Sequence, residues 1–170
     1  LGENTTGFDN IGIGFGALQD NKTGTGNIAI GSAALASGSP DVGDSNISIG
    51  NDTLTAPTMS GSDNIAIGDA AGFDNTTGSV NVFIGDSAGG NNTTGTDNVF
   101  LGDGAGGINT TGSNNITIGA FADFNSVGLT NAIAIGYNTQ ASASNTMVLG
   151  NGVRVVIGSE TVDAKAILEL

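Results

Sequence analysis

Three carboxylates stand at equal intervals in the middle of the chain: Asp69, Asp86 and Asp103, 17 residues apart, each directly after a glycine. If the interval marks stacked units, they form a column with steps of about 5 Å. Like charges that close repel unless water solvates them or a cation such as calcium, which takes carboxylate and carbonyl oxygens, bridges them. A solvated corner is the simpler reading, so the column is a weak metal candidate beside an expectation of no metal and no cofactor. The second candidate is a threonine array, in Thr5-Thr6-Gly7, Thr76-Thr77-Gly78, Thr93-Thr94-Gly95 and Thr110-Thr111-Gly112. Regular threonine ranks on a flat solenoid can order water, which makes ice binding an alternative function. These threonines adjoin a glycine corner, however, where turn chemistry explains them, and Val42 and Ser60 interrupt the series. The triplets Asn75-Thr76-Thr77 and Asn92-Thr93-Thr94 are formal glycan acceptors of the kind that an Asn- and Thr-rich chain produces by chance.

Little other chemistry is on offer. The 170 residues include no His and no Cys, so a Ser-His-Asp triad, a cysteine nucleophile and a nitrogen- or sulfur-ligated zinc are all excluded. Carboxylate pairs can be drawn between almost any two corners, with no aromatic-lined cleft to single one out. The expectation is a protein that is not an enzyme. With 3 Lys+Arg against 16 Asp+Glu and a net charge of -13, the chain repels phosphate backbones, which excludes nucleic acid as a partner. Its apolar runs fall far short of the roughly 20 residues of a membrane-spanning helix, so no membrane insertion is expected of this segment.

The elements that must position these residues follow from a repeat. Asn27-Ile28-Ala29-Ile30-Gly31 returns as Asn46 to Gly50, Asn64 to Gly68, Asn81 to Gly85, Asn98 to Gly102 and Asn115 to Gly119. The closing glycines from Gly14 to Gly136 are separated by 17, 19, 18, 17, 17, 17 and 17 residues, and Gly150 follows after 14. Alternation with β-branched flanks marks a short strand, and a unit this short has no room for a crossover helix. The predicted fold is all-β: a parallel β-solenoid of about nine coils and about 17 residues per coil over residues 1–150, a rod about 40 Å long at some 4.8 Å per step.

The alternation suggests that the Ile/Val ladders flanking each strand centre line the coil's core. Against them an Ala/Thr ladder (Ala17, Ala34, Thr53, Ala71, Ala88, Ala105, Ala122 and Thr139) forms a small wall. The strand centres, among them Ala29, Ala66, Phe83, Phe100, Ala134 and Val148, would then face outward. None is charged, which makes them the candidate face for association with further copies. Glycine corners with positive φ and asparagine ladders between coils complete the expectation.

Asn131-Ala132-Ile133-Ala134-Ile135-Gly136 and Asn145-Thr146-Met147-Val148-Leu149-Gly150, with the Ser/Ala-rich stretch between them, resemble consecutive head repeats of trimeric autotransporter adhesins of the YadA type. That family's repeat reads Asn-Ser-Val-Ala-Ile-Gly. The longer units upstream, with their Thr-Thr-Gly turns, are similar to repeats of phage tail fibres and bacterial surface fibres. The closing Asp163-Ala164-Lys165-Ala166-Ile167-Leu168-Glu169-Leu170 is similar to the junction before a trimerising or chaperone domain in those proteins, which makes residues 151–170 a transition segment. The resemblance implies a left-handed β-roll, a homotrimer, and an extracellular place on a bacterial surface, a virion or an injection particle. It implies attachment to a host receptor, glycan or matrix protein. A structural spacer without its own ligand is the alternative. Ligand contact is expected at the irregular loops: Ser39, Pro40 and Asp41; Ala56, Pro57 and Thr58; and the stretch containing Phe121 and Phe124.

Overall fold

An Ile-x-Ile segment between an asparagine and a glycine has space for a strand of only three residues, and each such segment forms one. In the computed structural model, which describes residues 3–38, 42–150 and 152, the strands are β1 (Ile11–Ile13), β2 (Ile28–Ile30), β3 (Ile47–Ile49), β4 (Ile65–Ile67), β5 (Val82–Ile84), β6 (Val99–Leu101), β7 (Ile116–Ile118), β8 (Asp123–Phe124), β9 (Ile133–Ile135), β10 (Gln140–Ala141) and β11 (Met147–Leu149). Nine of them form one sheet in the order β1-β2-β3-β4-β5-β6-β7-β9-β11, every pair parallel and in register: Ile28 beside Ile47, Ile47 beside Ile65, Ile65 beside Val82. The chain is therefore a β-solenoid, with one turn of the coil between successive strands of that sheet. β8 and β10 make a second parallel pair where the arm of the coil straightens near the C-terminal end. Ser39, Pro40 and Asp41 and almost all of the 151–170 segment lie outside the described residues.

The closing glycines end the strands. From Gly14 to Gly136 they hold φ between 123° and 141°, a region that side chains avoid. At Gly85 a Cβ would also overlap the carbonyl of Gly102 in the next coil. Neither conformation nor space admits another residue there.

The interior is reached from the opposite phase of the strand to the one the alternation suggests. Ala29, Ser48, Ala66, Phe83, Phe100, Thr117 and Ala134 are wholly buried inside the coil, and Val148 packs half-buried against the same core. The Ile/Val/Leu ladders point outward. The cross-section explains the inversion. Each coil's interior also holds a residue of the Ala/Thr wall, which is buried as expected, and one further arm residue such as Leu18, Leu35 or Leu54. That leaves room for one strand side chain per coil, not two. The candidate association face Ala29, Ala66, Phe83, Phe100, Ala134 and Val148 is thus core.

Asparagine ladders tie the coils. Asn46, Asn64, Asn81, Asn98 and Asn115 each donate their backbone N–H to the side-chain Oδ1 of the asparagine one coil earlier, at 2.8–3.0 Å. Their own Nδ2 groups donate to a backbone carbonyl of the following coil, as from Asn81 to Gly95 at 2.9 Å. Each buried amide thus has both its donor and its acceptor engaged, which is the condition for burying one without penalty.

Candidate functional site

The outer face of the nine-stranded sheet carries two residues per strand, all Ile, Val, Leu or Met. Ile11 (48% exposed), Ile13 (59%) and Met147 (57%) lie at the two ends, while Ile47, Ile49, Ile65, Ile67, Val82 and Ile84 in the middle are half-buried by their neighbours. No charged or polar side chain interrupts either ladder. At about 4.8 Å per strand this is a flat apolar strip running the length of the rod, of a size that soluble monomers rarely leave open.

The other candidates are distributed as follows. Asp69, Asp86 and Asp103 do form a column, since the N–H of Ser87 donates to the carbonyl of Asp69 and that of Gly104 to Asp86. All three are exposed; Asp69 accepts from Asn51 Nδ2 at 3.1 Å and Asp86 from Ser87 Oγ at 3.3 Å. Among the described residues no three acidic side chains converge as a metal would require. The column points outward, its three carboxylates exposed along one corner of the coils.

The Thr-Thr pairs split their work. Thr76 and Thr93 donate their hydroxyls to the carbonyls of Thr93 and Thr110 in the next coil, at 2.9 and 3.0 Å, closing the corner. Thr77, Thr94 and Thr111 remain outward as a rank one residue wide. The residue before each pair was missed as a structural element. Asn75, Asn92 and Asn109 are wholly buried and form a second ladder, Asn92 Nδ2 to Asn75 Oδ1 at 2.9 Å and Asn109 Nδ2 to Asn92 Oδ1 at 2.8 Å. The signal was the recurring Asn-Thr-Thr-Gly itself. Burial also means that the Asn75 and Asn92 triplets cannot accept a glycan on the folded coil.

Of the loop residues, Pro57 and Thr58 are exposed, but Ala56 is buried beneath them. Phe121 is 49% exposed and meets Tyr137 edge-on at 6.3 Å. Phe124 is wholly buried and packs against Phe100, because β8 is extended and alternates: Asp123 turns outward and Phe124 inward. It therefore contacts core rather than ligand.

Asp123 is a half-buried carboxylate that backbone donors hold in place. It accepts from the N–H of Phe124 at 2.8 Å and from that of Ile108 at 3.1 Å, so its carboxylate stands where a coil of ordinary shape would offer a backbone carbonyl. Burial raises its pKa above the ordinary value, and the two N–H donors only partly offset that effect.

The architecture defined by these observations is a parallel β-solenoid with one continuous apolar sheet face and a mixed perimeter, on which polar corners alternate with exposed aromatics such as Phe15 and Tyr137. Compared with known proteins, the chain matches no protein family, no curated protein and no solved structure.

Proposed function

We propose that the chain is a segment of an extracellular fibre, a homotrimer of left-handed β-rolls that projects from a bacterial surface, virion or injection particle and attaches it to another surface. The observation that carries this reading is the uninterrupted Ile/Val/Leu face of the nine-stranded sheet, which needs a partner of equal length and flatness. A second and third copy of the same rod offer such a partner, each in the same register. Three copies around one axis bury all three strips and leave the rest of each perimeter, with Pro57, Thr58, Phe121 and Tyr137, facing out. Attachment then works by number: a stiff rod presenting three identical surfaces turns weak single contacts into firm holding through effective concentration.

Light scattering tests the assembly. A mass of three times 16.5 kDa, unchanged by a calcium chelator, is the expected result, and Ile67→Lys together with Ile84→Lys on the sheet face should convert it to monomer. A wild-type chain that is a stable monomer overturns the trimer. Replacing Pro57 and Thr58 separates the two fibre roles: a binding segment loses attachment with its fold intact, whereas a spacer is unaffected.

A further inference from the structure

Away from the sheet face, the arms of three consecutive coils enclose a shallow depression of about 300 Å³, bordered by Phe73, Asp74, Ser87, Gly90, Asn91 and Gly107. Its floor is made by two glycines that the fold does not demand. The same turn occurs in three coils, with Phe73 N–H donating to Ala70, Gly90 N–H to Ser87 and Gly107 N–H to Gly104, at 3.1–3.3 Å. In the first of these coils the turn carries a phenylalanine, so it tolerates a side chain. Neither Gly90 nor Gly107 has a positive φ, and the nearest atom to a Cβ at either is the turn's own carbonyl oxygen at 3.2 Å. The effect of glycine at both positions is an open floor about two coil steps long, some 10 Å. Phe73 stands at one end, 43% exposed. Asn91 is held at the rim by donating Nδ2 to the Gly107 carbonyl, which leaves its amide oxygen to accept.

We propose that this depression binds one neutral pyranose ring of a glycan. A sugar ring presents a C–H face and a rim of hydroxyls. The glycine floor and the Phe73 ring match the face; Asp74, the Asn91 amide oxygen and Ser87 Oγ, whose own proton goes to Asp86, supply acceptors for the rim, and the second Nδ2 hydrogen of Asn91 supplies a donor. Charge narrows the class. Among the described residues the one cation, Lys22, is engaged with Glu3 at 3.3 Å several coils away, and the whole chain carries -13, so sulfated, phosphorylated and uronic sugars are repelled. A cationic side chain would satisfy Asp74 but has no use for a flat apolar floor, so the neutral ring is the better fit. The site gives the attachment reading above a ligand class and rests on that reading for its biological use; the pocket itself belongs to a single chain.

The test is an amide-resolved NMR titration of the 170-residue chain with methyl glucoside, methyl galactoside, methyl mannoside, N-acetylglucosamine and their disaccharides. At least one sugar should give saturating shifts centred on Gly90, Asn91 and Gly107. Gly90→Val, which fills the floor, and Phe73→Ala, which removes the wall, should each weaken binding by about tenfold or more without lowering Tm. Asn91→Ala replaces Gly90→Val if the latter does not fold. Absence of shifts at these amides with every sugar overturns the proposal, as does binding that survives both variants, or a response only to a lysine-rich peptide that salt abolishes. Light scattering reads the trimer independently, so either idea can fail alone.

Discussion

The first three coils and the two built on β5 and β6 fill the same interior from opposite walls. Near the N-terminal end the strand contributes little (Gly12, Ala29, Ser48) and the arm contributes Leu18, Leu35 and Leu54. In the later coils the strand contributes Phe83 and Phe100, stacked at 5.4 Å, while the arm positions hold Gly89 and Gly106, where a Cβ would run into those rings. The backbone is the same in both regions: the arm residue is left-handed throughout, with φ of 52°, 52° and 49° at the leucines and 60° and 64° at the glycines. A leucine in that conformation costs about 1–2 kcal/mol that a glycine does not. The leucine coils bear that strain because nothing else would fill them. The two regimes meet at Gly72, where an added Cβ would touch Leu54 from one coil and Phe83 from the other. What is fixed is the volume of the interior, and strand and arm divide it freely.

Breaking the aromatic regime should have the largest effect. Phe100→Ala removes the ring between Phe83 and Phe124 and leaves glycine on the opposite wall, so nothing collapses into the space. A loss of about 3–5 kcal/mol is expected from denaturant unfolding. Gly89→Leu imposes the N-terminal solution on an aromatic coil. Overpacking against Phe83 and left-handed strain together should destabilise by about 2–4 kcal/mol. Combining it with Phe83→Ala should destabilise less than the sum of the two single changes, and strict additivity would refute the volume trade.

The strand-centre residue after Phe100 sharpens the comparison at smaller scale. Thr117 is buried with a hydroxyl that has no partner, whereas Ser48 bonds Thr53. Thr117→Val should therefore stabilise by about 1 kcal/mol, read as a higher midpoint at unchanged slope.

The smallest expected effect concerns pH, at the coil where the aromatic regime ends. The native state holds the Asp123 pKa above its unfolded value, so the folded chain binds the proton more tightly. The stability penalty of ionised Asp123 is present above the raised pKa and disappears as pH falls through it toward the ordinary value. Asp123→Asn keeps an acceptor for Ile108 and Phe124 without the charge. It should raise Tm at neutral pH, with the advantage shrinking in acid; an advantage that grows in acid would show that the carboxylate's hydrogen bonds outweigh its burial.

Much of this was legible from spacing. The coil period, the parallel register, the glycine corners, the Ala/Thr wall and the first asparagine ladder all follow from residues that only one backbone path accommodates. The phase of the strands did not follow. In a three-residue strand with apolar residues on both faces, a one-position change in which face is buried leaves the hydrophobic pattern equally satisfied. What decides is the space left by the arm, and Leu35 or Gly89 reveals that only once the arm is known to fold inward. The same cause hid Phe124, whose environment depends on β8 being extended. Asn75 was legible in principle, but its Asn-x-Thr setting read as surface chemistry. The glycine floor beside Phe73 left no trace in the sequence, because glycines that are required and glycines that are not look alike there.

One property of the asparagine ladder concerns the history of such a chain rather than its energetics. Each rung accepts from the next coil and donates to it in the same way, so from Asn46 to Asn115 every coil sees the same neighbours above and below. Removing or duplicating one whole unit, such as residues 86–102, rejoins a closing glycine to a residue of the type that already followed it. A change of one or two residues within an arm leaves the rungs in step, since the same bond forms across units of 19, 18 and 17 residues. The gene can therefore lengthen or shorten its product by unequal exchange in whole steps of about 4.8 Å, and the rod behaves as a ruler whose graduations are coils.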